Sequence, residues 1–317
     1  MATYFDGSNA VTASAVTGKF IPAIWSDEIV AAYKKNLVLA NLVKKLNFKG
    51  KRGDTIYIPS PNRGAASAKA AATTVTIQAA STNSNIAVSI NKHYEYSRLI
   101  EDIVETQALA SLRQFYTDDA GYALAKQVDT DLIKLGRTFN SGTGARYSGG
   151  YIGGDGTTAY DYSTNNVSAL TDAAIRRTIQ RLDDQDVPMD NRFFLIPPSS
   201  RNTLMGLARY TEQAFVGEAG SSNTIRNGEI GNLYGMAVFT STNADTPNAA
   251  DDGSGAAKSA RVCLMGHKDS MVLVEQQGIR AQTQYKQEWL GTLFTSDTLY
   301  GVSELRDYGA VALVVPA

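Results

Sequence analysis

Residues 49–85, KGKRGDTIYIPSPNRGAASAKAAATTVTIQAASTNSN, place the strongest constraint on how this chain can fold. A credible strand, Thr55-Ile56-Tyr57-Ile58, leads into a long segment whose only large aliphatic side chains are Val75 and Ile77. The alternating Ile86, Val88 and Ile90 read as a closing strand, so the whole is a two-stranded loop with a Gly/Ala/Ser-rich middle. A hairpin over residues 47–92 has arms of roughly 20 residues, which reach roughly 65 Å at about 3.3 Å per residue. A compact chain of 317 residues has a radius of gyration of only about 20 Å. The loop is therefore expected to overhang its own subunit. Ordering each residue costs about 1–2 kcal/mol, and two buried aliphatic side chains return roughly 1.5–3 kcal/mol each. Contacts with another molecule have to hold it, and a neighbouring copy of the same chain is the simplest partner.

The remainder is able to form a core. With 43% hydrophobic and 19% charged residues the chain is globular in class. Its longest apolar run is the six residues Ala310 to Val315, too short to span a membrane. The start, MATYFDGSNAVTASAVTGKF, has no basic segment followed by an apolar one, and so does not read as a secretory signal; cytoplasmic synthesis is expected. Residues 1–20 read as an extended arm. Trp25, Ile29, Tyr33, Leu37 and Ala40 predict a helix over Ile21–Leu46. Leu109, Leu112, Tyr116, Ala120, Leu124, Val128, Leu132 and Leu135 form the longest helical stripe, with Gly136 as the expected cap. At 1.5 Å per residue it is a rod of roughly 40 Å.

Residues 140–166 are Gly/Tyr/Ser/Thr-rich without a period and read as a surface excursion. Thr171-Asp172 opens a helix bearing Ile175, Ile179 and Leu182. Arg192–Ile196 is a short buried strand stopped by Pro197-Pro198, and Ser199-Ser200 are expected to cap a helix through Leu204 and Leu207. A strand is expected within Gly231–Thr240, a polar loop over Asn243–Lys258, and mostly extended chain over the last 50 residues. No internal repeat is present. The fold class is α+β.

Charge is distributed unevenly. Residues 1–92 hold 11 Lys+Arg against 4 Asp+Glu, whereas residues 93–317 hold 19 against 27. A basic first third therefore accompanies an acidic remainder, and residues 95–131, leading into and along the rod, carry 8 acids against 3 bases. No block of five positive charges occurs, so attraction to an acidic protein surface explains the asymmetry as well as a nucleic-acid tail does.

Catalytic patterns are missing from the sequence. GxxxxGK[ST] and GxSxG do not occur, and Gly142-Thr143-Gly144-Ala145-Arg146-Tyr147 has Tyr where a dinucleotide loop needs its last Gly. His93 and His267 lie far apart without HExxH spacing and read as sheet-edge or surface residues. Cys263 is the only cysteine, which excludes an internal disulfide. Asp183, Asp184, Asp186 and Asp190 lack the Gly and distant Glu of a calcium loop and read as a solvated helix end. Arg52-Gly53-Asp54 matches the integrin-binding tripeptide only as short sequences do by chance, and Asn166-Val167-Ser168 is a glycosylation sequon without secretory context. No catalytic residue, cofactor or metal is expected.

The order of parts resembles a known family. An N-terminal arm, a long basic hairpin introduced by GDTIYIPSP, the acidic RLIEDIVETQ, a rod helix, an α+β insertion and a closing GVSELRDYGAVALVV resemble the major capsid proteins of tailed bacteriophages, with the Hong Kong ninety-seven-type fold. HYEYSRLIEDIVET and SELRDYGAVALV look most like those of short-tailed, T-seven-like phages. The resemblance implies an N-terminal arm and helix (1–46), an E-loop (47–92), a P-domain (93–168) with spine helix 109–136 and the Gly-rich loop, an A-domain (169–265) and P-domain return strands (266–317). It implies no enzymatic activity. It implies pentamers and hexamers of this chain, a portal, double-stranded DNA enclosed without sequence-specific binding, and room for a cement protein. The spine begins by residue 109, which leaves no room for a built-in scaffolding segment, so a separate scaffolding protein is expected. No pair of Lys and Asn is singled out for a covalent cross-link.

The residues expected to hold neighbours together are Lys49, Lys51, Arg52, Arg63 and Lys69 on the hairpin, against Glu101, Asp102, Glu105, Asp118 and Asp119 near the rod. Two other readings remain: an encapsulin-like compartment of the same fold, and a carbohydrate-binding adhesin or enzyme using the tyrosines of residues 140–166, some of the 16 in the chain.

Overall fold

The computed structural model describes residues 38–60, 66–75, 84–101, 111–139, 153–207, 232–247 and 258–317, with the side chains of 84 and 111–115 excepted. The arm (1–20), most of the first expected helix, Arg63, Asp102, Glu105 and the stretch 140–152 lie outside the described residues.

The first element among the described residues is a single helical turn, α1 (Leu39–Leu42), followed at once by strand β1 (Lys44–Asn47). The helix expected to reach Leu46 therefore stops at Leu42. Its last residues are drawn into a parallel ladder, Lys44 beside Val272 and Asn47 beside Glu275, and Leu46 packs on Val272 and Val274. Partners more than 200 residues away override the local period.

The hairpin strands are β2 (Thr55–Ser60) and β3 (Ser84–Ser89), paired from Thr55–Ser89 to Ser60–Ser84. Next come β4 (Lys92–Glu101) and the rod α2 (Ser111–Lys134), whose 24 residues span about 36 Å. Along its stripe Ala120, Leu124 and Leu132 are buried, and Tyr116, Val128 and Leu135 are half-buried. Gly136 does not end the rod as a cap. It lies inside a 3-10 turn, Leu135–Arg137, and Thr138 closes the end by donating its Oγ1 hydrogen to Leu135 O at 2.8 Å.

Helix α3 (Asp172–Asp184) starts as expected: the Thr171 hydroxyl accepts from Ala174 N. Strand β5 (Arg192–Ile196) is buried throughout. Helix α4 (Pro198–Met205) opens on a proline, whose fixed φ suits the first helical position. The expected serine cap is absent; Ser199 Oγ instead donates to Pro316 O at 3.0 Å, and Ser200 Oγ lies 3.3 Å from Cys263 Sγ. Then follow β6 (Asn232–Leu233), β7 (Met236–Thr240), β8 (Ala260–His267), β9 (Met271–Lys286), β10 (Gly291–Glu304) and β11 (Ala310–Pro316). The β6–β7 turn has φ 50° at Tyr234 and 82° at Gly235, the paired left-handed conformation that tight hairpins require.

Two larger sheets result. One has the order β11-β8-β5-β7-β6, the other β1-β9-β10-β4, and β2-β3 forms a third. The boundary drawn at residue 265 does not coincide with the sheets, because β11 pairs with β8 while β9 and β10 pair with each other. The five-stranded sheet is covered on both sides. Phe193, Leu195, Val262, Leu264, Ala312 and Val314 join Leu39, Leu132 and Ile133 on one side. Phe194, Ile196, Cys263, Met265, Val311 and Leu313 meet Ile175, Leu182 and Leu204 on the other. Burial on both faces is why these strands read as continuous apolar runs. Tyr160 and Tyr162 belong to the first of these clusters, so the later part of the expected excursion is core. Among the described residues no helix is long and apolar enough to cross a membrane.

Candidate assembly surface

The hairpin is fixed at its root. Phe48 N donates to Glu275 O at 2.9 Å, Ile90 N donates to Asp54 O at 2.7 Å, and Gln276 Nε2 donates to Lys51 O at 2.9 Å and Gly53 O at 3.1 Å. Below these bonds Ile56, Ile58 and Ile86 pack against Val88, Ile90, Val272 and Val274. Gly301 lets β3 approach β10, since a Cβ there would collide with Ser89 O. Farther out, residues 66–75 are all exposed, and Val75 is 68% exposed. The one local device there is a turn in which Thr73 Oγ1 donates to Ala70 O at 2.8 Å. The hairpin is thus seated by its first six rungs, and the described part beyond them touches nothing that could bury it.

The basic residues differ in their surroundings. Lys49 Nζ is 3.7 Å from Glu275 of its own chain, with both side chains about half exposed. Lys51 Nζ lies 5.6 Å from the Phe48 ring centroid. Arg52 and Lys69 are exposed.

On the acidic side, Glu101 is the exposed last residue of β4, and Asp118 is exposed on α2. Asp119 accepts from Tyr96 Oη at 3.2 Å. The Tyr96 hydroxyl also accepts from Arg98 Nε at 3.1 Å, and the Arg98 guanidinium stands 4.9 Å from the Tyr116 ring. This contact ties β4 to α2 and was not legible in the sequence; the Tyr94/Tyr96 alternation was its one trace. Glu101 lies five residues along the strand from Tyr96, roughly 17 Å at 3.3 Å per residue, so the structure does not gather the three acids into one cluster.

Two acids of the 95–131 run turn inward. Asp129 is 1% exposed and accepts from Leu39 N at 2.9 Å and Asn243 Nδ2 at 3.1 Å, which makes it a cap for α1 from a distant helix. Burial pushes its carboxyl above the ordinary range, and the donors from Asn243 and residues 38–40 oppose that push. Asp131 accepts from Tyr300 Oη at 2.7 Å and lies 3.4 Å from Lys92 Nζ. The expected acidic rod is therefore acidic outside only toward its N-terminal half. His267 is likewise not at the surface: it is 7% exposed and its Nδ1 accepts from Asp269 N at 3.1 Å, capping a 3-10 turn. His93 is exposed, beside Asp297 at 3.4 Å. Burial raises the Cys263 thiol to about 12, which leaves it inert as a nucleophile.

A long hairpin rooted on one sheet, a rod helix fastened beneath it and a five-stranded sheet with helices define the mixed α+β fold seen in structures of phage capsids. Similar solved structures include the capsid structure of the cyanophage P-SCSP1u, 19% identical, with a TM-score of 0.72 over 93% of both chains. A structure from Mycobacterium phage Che8 is 21% identical, with a TM-score of 0.71 over 93% of this chain and 97% of that one. The cyanophage Pam1 capsid asymmetric unit is 12% identical, with a TM-score of 0.66 over 100% of this chain and 99% of that one. No family model matches the sequence, and no curated protein matches it.

Proposed function

We propose that the chain is a major capsid protein, whose copies form pentamers and hexamers that close an icosahedral shell around phage double-stranded DNA. The observation that carries this reading is similarity to a capsid structure over 93% of both chains. The role is structural rather than enzymatic, and the place of action is the virion. A portal, a separate scaffolding protein and a cement protein are the further partners this reading brings with it.

Within the shell, the exposed part of the hairpin lies across a neighbouring copy. Lys51, Arg52 and Lys69, with Arg63, are its basic side; Glu101, Asp118 and Asp119, with Asp102 and Glu105, are the receiving side. Lys49 is the weakest member, because Glu275 already faces it at 3.7 Å. Each such surface pair contributes about 0–1 kcal/mol, so the pairing depends on repetition around the shell.

Size-exclusion chromatography with negative-stain microscopy of the purified chain tests the assembly, and closed shells or capsomer rings are expected. A persistent monomer overturns it. Reversing Lys51 and Arg52 to Glu is expected to lower particle yield; an unchanged yield removes the charge pairing and leaves the shell standing.

A further inference from the structure

Strand β9 changes character along its length. Along β9 the residues Met271–Val274 are buried, whereas Ile279–Tyr285 are exposed. Strand β1 covers the outer edge of β9 only at residues 272–275. From Ile279 to Lys286 that edge has no strand partner among the described residues, and neither does the outer edge of β4. A long strand edge with unpaired N–H and C=O groups is a template for another chain, and proteins normally cover or blunt it. Neither edge carries a proline.

The register places charge on these edges in an ordered way. Gly291 pairs with Glu101 on one side and Lys286 on the other; Asp297 pairs with Glu95 on one side and Arg280 on the other. Residues sharing a row point to the same face of a sheet. Acids thus occupy one edge and bases the other, in the same two rows and on the same face. Both β4 and β9 run antiparallel to β10, hence parallel to each other.

From this register we infer that a second copy of this chain docks edge to edge, the β4 edge of one copy beside the distal β9 edge of the next, extending the sheet without change of register. Glu101 then faces Lys286, and Glu95 faces Arg280, across each junction. Arg280 binds Asp297 of its own chain through two nitrogens at 3.0 and 3.1 Å, and its side chain is still 52% exposed. Because the two edges differ, the contact is head-to-tail, and it closes into a ring where the rotation between copies allows. The inference rests on the proposed self-assembly and names one contact within it.

Ser97, Thr295 and Gln282 share the row between the charged ones. Within one chain Ser97 and Gln282 are two strands apart, roughly 10 Å, beyond disulfide reach. Across the junction they are adjacent, at about 5 Å. Assembled Ser97→Cys/Gln282→Cys particles, oxidised and run on a non-reducing gel, are expected to give a covalent ladder that neither single variant gives. Adding Lys286→Glu is expected to lower its yield about fivefold, and adding Glu101→Lys as well to restore it. Particles without a ladder overturn this contact and leave self-assembly intact. A wild-type chain that stays monomeric overturns both. Should the double variant not fold, hydrogen exchange on wild-type chains decides: amides of 280–286 gain protection in particles over the unassembled chain, and unchanged protection overturns the contact.

Discussion

A buried ion pair holds the joint between the rod and the loop that follows β7. Arg137, in the turn that ends α2, has a side chain with 0% exposure. Its Nε donates to Asp245 Oδ2 at 2.8 Å and its Nη2 to Oδ1 at 3.1 Å, a two-pronged grip, and Asp245 Oδ1 also accepts from Thr246 N at 2.9 Å. In the intact pair, desolvation and attraction nearly cancel. Removing one partner is different: Asp245→Ala leaves a buried guanidinium that cannot shed its proton and has lost its carboxylate, at a cost of about 3–5 kcal/mol. Total stability is about 5–15 kcal/mol, so a large share would be lost. Arg137→Met with Asp245→Leu removes both charges, and is expected to be neutral or stabilising by about 1–4 kcal/mol. Urea unfolding of the unassembled chain, with midpoint and slope compared among variants, measures both. A single variant costing less than about 1 kcal/mol, or a double variant as weak as the single, would refute the reasoning.

Two further outcomes follow from the same physics. Tyr300→Phe keeps the ring, which is 1% exposed, and removes only the 2.7 Å bond to Asp131. Its expected cost is about 1.5–3 kcal/mol in the same unfolding assay, and a loss below about 0.5 kcal/mol would mean that this bond does not fasten α2 to β10. Asp297 is held below the ordinary carboxylate range first by Arg280, then by Gln277 and His93. Its folded form binds a proton more weakly than the unfolded one, so its contribution is present above about pH 4 and disappears as pH falls through the depressed value. Stability measured between about pH 2 and 5 should fall more steeply in the wild type than in Asp297→Asn, and equal slopes would sink the assignment.

The elements legible in the sequence are those whose signal is local. The stripe from Tyr116 to Leu135, the Thr171 cap and the short strand Arg192–Ile196 each declare themselves within a few residues, because helical and strand periods are short. The grease-poor hairpin was equally plain, as was the closing strand Ala310–Pro316. The assembly surface was legible only in part, since Arg52, Lys69 and Asp118 are exposed as expected, whereas Asp119 is engaged by Tyr96 and Lys49 by Glu275.

By itself the sequence determined where segments can bury apolar area and where they cannot, and with it the α+β class and a hairpin with little to bury. Only the tertiary structure decided that Lys44–Asn47 is strand rather than helix, that Tyr160 and Tyr162 are core, and that Asp129 and Asp131 face inward while Asp118 faces out. The reason is that a ladder partner, a cap or an ion pair is chosen by whatever residue arrives from elsewhere in the chain. Asp129 meets Leu39 across 90 positions and Asp131 meets Tyr300 across 169, separations at which no local pattern carries information.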